Sequence, residues 1–333
     1  MTRPSTTRRD SLRALAALGA AGLVVGAGRA EVQDFPRRPL SLIVPFPAGG
    51  TADALGRVLA KGLGEGLGRQ VVVDNRPGAG GRVGTTLAAR ANPDGHTILL
   101  GSISAFSIEP VLRTSVGYDP VGDFTAVLPV AEMPFVLVVP ADSPVHSVDE
   151  LVAAAKAQPG KLTYATWGLG TSCHLVTEQF ATARGVSLAH VPYKGAVNAM
   201  TDLAAGRIGM MFALPFDATP HIASGRLRPL AVTGTRRLPG LPEVPTLAQL
   251  GVSGIDMNAW FGVFVPARTP AAVVKRLRSV LEPVMTSGAM QNWIQTQGAV
   301  AFPGGPEDLV KRIRADAVAA VAVAKTLSLR LED

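Results

Sequence analysis

The feature that most constrains this chain is a repeated alternation of short apolar runs with amphipathic stretches, each run closed by proline or glycine. Leu40–Pro45 is such a run, and Thr51–Leu67 follows it as an amphipathic helix. Gln70–Asp74 and Thr97–Gly101 repeat the run, with a Gly-rich turn and a helix through Ala91 between them. Short apolar runs flanked in this way read as strands buried on both faces. Strand–helix–strand repetition predicts an α/β chain built on parallel sheets with crossover helices.

A second series begins beyond Phe124–Val139, where two apolar strands are parted only by Ala131–Pro134. Ser147-Val-Asp-Glu150 predicts a capping box that opens a helix ending before Pro159-Gly160. Strands are expected at Leu162–Thr166, Val191–Tyr193, Ile208–Phe212 and Leu227–Thr233, with helices over Ser172–Thr182 and near Ala196–Ala205. A link rich in proline (Pro239, Pro242, Pro245) leads to a strand at Phe261–Val265, a helix that starts at Thr269-Pro270 and a last helix after Pro306. Proline at the first helical position suits both of these helix starts. A chain of 333 residues exceeds one ordinary core. The expected division is one lobe from residues 31–129 with 236–333 and a second from 130–235. More than one crossing between them leaves a cleft, and in open α/β sheets ligands sit at the carboxyl ends of the strands.

Residues 1–30 read as an export signal rather than as structure. Arg8-Arg9 precede an apolar stretch from about Ala14 to Gly28, and Gly28-Arg29-Ala30 supplies a small residue at the cut. That stretch is too short to span a bilayer as a helix. Thr7-Arg8-Arg9-Asp10-Ser11-Leu12-Arg13 has the form of a twin-arginine signal, except that Ser11 stands where a bulky apolar residue is usual. A general secretory signal is the alternative. The predicted location is therefore periplasmic, with a soluble mature chain. Cys173 is the one cysteine, so no internal disulfide is possible and no lipid anchor is expected at the cut. The formal charge of +7 falls to +3 once the five arginines and single acid of residues 1–30 are removed. So small and dispersed an excess does not make a nucleic-acid footprint.

Three loops follow a strand and open a helix. In Pro45-Phe46-Pro47-Ala48-Gly49-Gly50-Thr51-Ala52-Asp53 the glycines let the backbone bend, and the helix start presents unpaired amides to an anion. Thr51 adds a hydroxyl. Asp53 falls in the first turn, where it either complements the helix dipole or reaches a ligand. Asn75-Arg76-Pro77-Gly78-Ala79-Gly80-Gly81-Arg82-Val83-Gly84 has glycines like a dinucleotide loop, but Val83 stands at the third glycine position. A tight turn is the reading it supports. Trp167-Gly168-Leu169-Gly170-Thr171-Ser172 mirrors the first loop in the second series, unless it is only a glycine turn with a Ser/Thr cap. Two helix starts facing one cleft would suit a ligand with two anionic ends.

Catalytic patterns are missing from the sequence. Cys173 and His174 are adjacent, and neighbours on a helix do not face each other. No Gly-x-Ser-x-Gly elbow occurs. His96, His146, His174, His190 and His221 lack metal-ligand spacing, so neither a metal nor a cofactor is expected. Trp260 and Trp293 read as packing residues.

At Pro45-Phe-Pro-Ala-Gly-Gly50, Asp74-Asn-Arg-Pro-Gly-Ala-Gly-Gly81 and Val191-Pro-Tyr-Lys-Gly195 the chain resembles the substrate-binding receptors of tripartite tricarboxylate transporters, also called Bug proteins. Pro93-Asp-Gly95, Gly206, Leu230-Ala-Val-Thr233 and Pro242-Glu-Val-Pro-Thr246 extend the likeness over the whole mature chain. The resemblance implies a type II periplasmic-binding-protein fold, two α/β lobes closing on a ligand in the cleft between them. It implies a small carboxylate ligand: a di- or tricarboxylate, an acidic amino acid or an aromatic acid. The partners would be the membrane permease subunits, and the receptor a monomer that catalyses nothing. Matched residue by residue, the first anion loop falls on Ala48, Gly49, Gly50, Thr51 and Asp53, and the second on Gly168, Gly170, Thr171 and Ser172. Ser102, Ser104 and Tyr193 border the same cleft, and Phe46, Trp167, His174 and Asp217 complete the expected ligand-binding set. His96, Trp167, Thr171 and Glu109 depart from the family's usual residues. An indole at position 167 would favour an aromatic or planar acid. An exported enzyme acting on a small acid, or a sensory receptor presenting its closed form to a signalling protein, are the competing readings.

Overall fold

The computed structural model describes residues 35–255 and 257–326, so the expected export signal lies outside the described residues. Contacts divide the chain between Arg38 and Pro39, and every strand and helix named here belongs to the unit from Pro39 onward.

Strand β1 (Leu40–Val44) is buried along most of its length and enters helix α1 (Thr51–Leu67) through the first glycine loop. The helix forms where its apolar residues recur every fourth position. Leu55, Leu59, Leu63 and Leu67 make one buried face, each leucine contributing about 1.5–3 kcal/mol of transfer free energy. Gly68 ends it in the left-handed region, with its amide returned to Gly64 O. Strand β2 (Val71–Asn75), helix α2 (Arg82–Ala89) and strand β3 (Thr97–Ser102) complete the first series, with β1 parallel to both β2 and β3. A short helix, α3 (Glu109–Leu112), follows a π-helical turn at Ser104–Ile108.

Strands β4 (Phe124–Met133) and β10 (Ala259–Pro266) join the same sheet antiparallel, and the two-residue β11 (Val300–Ala301) pairs with β4 at its edge. The six-stranded order is β11-β4-β10-β3-β1-β2. The parallel pairing expected from the strand–helix–strand repeat is present at β1, β2 and β3, but the sheet as a whole is mixed. β10, which returns the chain from the second series, runs antiparallel to both of its neighbours, β3 and β4. Phe106 stacks on Phe264 with ring centroids 4.1 Å apart, and Phe124 packs against both, a core beneath this sheet.

Strand β5 (Val136–Pro140) starts the second series only two residues after β4 ends. The gap expected at Ala131–Pro134 is therefore shorter, because Ala131–Met133 stay paired with β10. The cap of α4 (Val148–Ala157) is as read at Ser147, whose hydroxyl accepts from Glu150 N; the Glu150 carboxylate takes the His146 amide instead of returning to Ser147. Then come β6 (Thr163–Thr166), α5 (Ser172–Arg184), β7 (Ala189–Pro192), α6 (Ala196–Ala204), β8 (Met211–Ala213), α7 (Pro215–Ala223) and β9 (Leu227–Val232). β6 and β7 are parallel, while β5 pairs antiparallel with β8 and β9. A bridge between Tyr164 and Met210 ties β6 to the chain just ahead of β8. The proline-rich link returns along β9, with Leu247 N donating to Val232 O.

Three helices close the chain: α8 (Ala271–Thr286), α9 (Gly288–Thr296) and α10 (Pro306–Thr326). Pro306 opens α10 as expected, but Pro270 sits one position early, at the cap of α8 with extended ψ. Its missing amide costs nothing at that position, since a cap amide has no partner within the helix. Among the described residues no helix is long and apolar enough to cross a membrane.

Candidate functional site

The first loop is held from behind. Asn75 Nδ2 donates to Phe46 O at 3.1 Å, and Asp53 accepts from Gly49 N at 3.0 Å and from Arg57 Nε at 2.9 Å. Gly49 has φ +89°, a region an L side chain rarely adopts, so the turn needs glycine there. Burial works against charge on Asp53, but the Arg57 guanidinium and the Gly49 amide outweigh it and hold the carboxyl below its usual range. Asp53 is thereby committed to shaping the loop.

The loop's forward donors meet a side chain from the other sheet group. Thr51 N donates to Asp217 Oδ1 at 3.1 Å and Thr51 Oγ1 to Asp217 Oδ2 at 3.0 Å. Asp217 is carried on α7, a helix that begins with Pro215 at its first position. Burial pushes the Asp217 carboxyl up to about 6, while both Thr51 donors pull it back toward ionisation.

The second loop shows the reciprocal arrangement. Thr166 Oγ1 and Thr171 Oγ1 both donate to Gly168 O, which fixes the turn, and Gly170 N donates to His174 Nδ1. The start of α5 is met by a hydroxyl from the first sheet group: Ser172 N donates to Ser104 Oγ at 3.1 Å. Each helix start that faces the cleft therefore holds a side chain from the opposite side.

Between these contacts lies a small cavity with room for about 50 Å³ of solvent. Phe46, Trp167, Trp260 and Phe261 supply aromatic walls, and Val197 and Leu214 aliphatic ones. Thr51, Ser102, Ser104, Ser172 and Asp217 are the polar side chains at its surface. Trp167 lies flat against Phe135, with ring centroids 6.0 Å apart. Among the described residues no Lys, Arg or His lines the cavity, so an anion here would rest on amides and hydroxyls.

Of the residues expected to bind ligand, Phe46, Gly50, Thr51, Ser102, Ser104, Trp167, Ser172 and Asp217 meet around this cavity. Ala48, Gly49, Asp53, Gly170, Thr171 and His174 do not line it; they shape the loops behind it. Gly168 and Tyr193 line a second cavity on the far side of Phe46 and Trp167. Val197, Leu214 and the Ala259–Phe261 segment were not anticipated. Trp260, read as packing, is fully buried with Nε1 on Asp316 at 2.7 Å, and its ring also forms cavity wall.

Chemically reactive groups nearby are quenched. Cys173 is buried with Sγ 3.0 Å from Phe212 O, and desolvation pushes its thiol well up. His174 and His190 stack at 4.3 Å, and burial lowers them to about 3 and about 4, so both are neutral. Among the described residues no group of three potential metal ligands occurs.

Known proteins resemble this chain over most of its length. The family model for the tripartite tricarboxylate transporter family receptor, TctC, matches residues 55–329. Protein BugT of Bordetella pertussis is 36% identical over 297 residues, covering 89% of this chain and 91% of the relative. The structure of Rpa4515 from R. palustris with adipate superposes with a TM-score of 0.85 at 36% identity, over 89% of this chain and 99% of that one. MatC from Rhodopseudomonas palustris with bound malate gives 0.83 at 26% identity, over 87% and 99%.

Proposed function

Because the chain belongs to the TctC family of tripartite tricarboxylate transporter receptors, we propose that it is a periplasmic receptor that captures a small carboxylate in the Thr51–Ser172 cavity and hands it to the transporter's permease subunits. The observation that carries this reading is the cavity itself: two helix starts, at Thr51 and Ser172, approach it from opposite sides. An anion at a helix start gains about 0.3–1 kcal/mol from the dipole, and the desolvated walls strengthen each hydrogen bond. Relatives with adipate and malate support the ligand class. The six-stranded sheet with its helices is one lobe in this reading, and the β5–β9 sheets the other. The crossings fall at Pro134–Phe135 and just ahead of Ala259. Closure of the lobes around the acid would exclude water from it. The chain acts by binding, without a chemical step.

A thermal-shift panel of mature protein against adipate, malate, benzoate and their amides tests the reading. An acid at about 100 times its Kd should add roughly 2.7 kcal/mol of stability, visible as a higher Tm. A rise with an acid and none with its amide is expected; no rise with any acid would overturn the assignment.

Within that class, Trp167 beside Phe135 and Phe46 favours a planar or aromatic acid. Trp167→Ala is expected to weaken benzoate at least tenfold while changing malate far less, about 0.5–1.5 kcal/mol per lost aromatic contact plus lost area. Equal affinities for benzoate in the two proteins, read by calorimetry, would remove Trp167 from ligand choice.

A further inference from the structure

The first helix start does not present bare amides to an incoming acid: it already holds a carboxylate. Asp217 Oδ1 and Oδ2 take the Thr51 amide and hydroxyl, at 3.1 and 3.0 Å, and a side chain at Gly50 would stand only 3.5 Å from Oδ1. We propose that capture at this anchor is coupled to proton uptake, one proton from solvent being shared between the carboxyl of the bound acid and that of Asp217. The proposal rests on the carboxylate-receptor reading above.

The argument is one of charge. A ligand carboxylate brought to the same loop stands within hydrogen-bond reach of Asp217, and two carboxylates sharing one site do not both stay ionised. Nothing else in the cavity can neutralise the pair, because Asp217 is the only charged residue among those lining it. The surroundings agree on every side. From α1, Asp53 adds a negative charge, but Arg57 and the Gly49 amide hold it from behind the loop. On α7 itself, burial and Arg226 lower His221, leaving it neutral at pH 7. From α5, Cys173 is a buried thiol raised well up, hence uncharged. β3 and β10 present serines and aromatic rings. Burial already raises the Asp217 carboxyl, so little further is needed to protonate it when a second carboxylate arrives. The balance is simple: ligand carboxylate, Asp217 carboxylate and one proton become a single hydrogen-bonded pair of net charge −1. An O–H···O⁻ bond of that kind is among the stronger hydrogen bonds available.

Isothermal titration calorimetry of the mature chain with adipate, malate and benzoate, each in buffers of different ionisation enthalpy, counts the protons. At pH 7 close to one proton should be taken up per acid bound, and affinity should fall about tenfold per pH unit from 7 to 8. Asp217→Asn should still bind the same acid, take up no proton, and hold its acid more tightly than the parent at pH 8. A circular-dichroism melt establishes that the variant is folded. The proposal is overturned if the parent binds an acid between pH 6 and 8 with no uptake, or if the folded variant still takes up a proton. Loss of all binding in the folded variant overturns it too, since the aspartate would then be needed as a charge. If no acid binds the parent at any pH, the receptor reading itself fails, a separate outcome.

Discussion

Glu109 is fully buried, with Oε2 on Arg113 Nε at 2.6 Å and Oε1 beneath Gly80 without a hydrogen-bond partner. Burial raises its carboxyl, and the Arg113 guanidinium opposes that rise. Removing the cation strands a buried charge, so Arg113→Ala is expected to lower stability by roughly 3–5 kcal/mol in urea unfolding. A loss below about 1 kcal/mol would show that Glu109 is neutral in the folded protein. At this scale the sequence was half legible. Phe46, Thr51, Trp167 and Ser172 could be found because each lies in a loop between strand and helix, whereas Ser102 and Ser104 came only with the family resemblance. Trp260 and Leu214 could not, since a residue at the end of a buried strand shows the same apolar character whether it faces core or cavity. Asp53 kept two readings in the sequence; its bonds to Gly49 and Arg57 favour the structural one.

At the scale of elements, α1 packs on α8 through small residues. A Cβ added at Gly62 would come within 2.5 Å of Val284 Cγ2, and one at Gly66 within 2.4 Å of Val280 Cγ1. Ordinarily Gly→Ala inside a helix stabilises by up to about 1 kcal/mol through propensity. Here overlap reverses the sign, and Gly66→Val is expected to cost about 1–3 kcal/mol by chemical denaturation. Gly288→Ala at the start of α9 meets nothing within 4 Å and should change stability by less than about 0.5 kcal/mol. Equal effects at the two positions would show that α1 and α8 do not pack closely. Element order was largely readable, because period and punctuation are local signals. Helix α7 was missed: two prolines, Pro215 and Pro220, fall within its nine residues and mask its helical pattern, although Pro215 occupies the first position, where proline is tolerated. The antiparallel pairing of β10 between β3 and β4 was hidden as well, since register depends on residues more than a hundred positions apart.

For the whole molecule, acid stability is set by groups that pull in opposite directions. His190 falls from the ordinary 6.5 to about 4 by burial, so between those values the unfolded chain binds more protons than the folded one. Its contribution is fully present above about pH 6.5 and is lost as pH falls through 4. Asp217 is raised to about 6, so it works the other way, favouring the folded state as pH drops toward its unfolded value. Against the parent, His190→Gln should therefore flatten the loss of stability between pH 7 and 4.5 by about 2 kcal/mol, read from urea midpoints at each pH. Parallel curves for the two proteins would mean that the ring is solvated. The crossings carry a different consequence. Phe135 and Thr233 exchange two hydrogen bonds, Gly234 lies against Pro134 and Asn258, and Met133 stands directly opposite Ala259 in the register of β4 and β10. The backbone thus leaves and re-enters the six-stranded sheet at two neighbouring positions, Met133 and Ala259. A gene exchange with two cuts would replace Trp167, Ser172, Val197 and Asp217 together while leaving the Thr51 loop untouched. Such an exchange would change the aromatic and acidic walls of the cavity in one step, whereas point mutation would have to reach them one at a time.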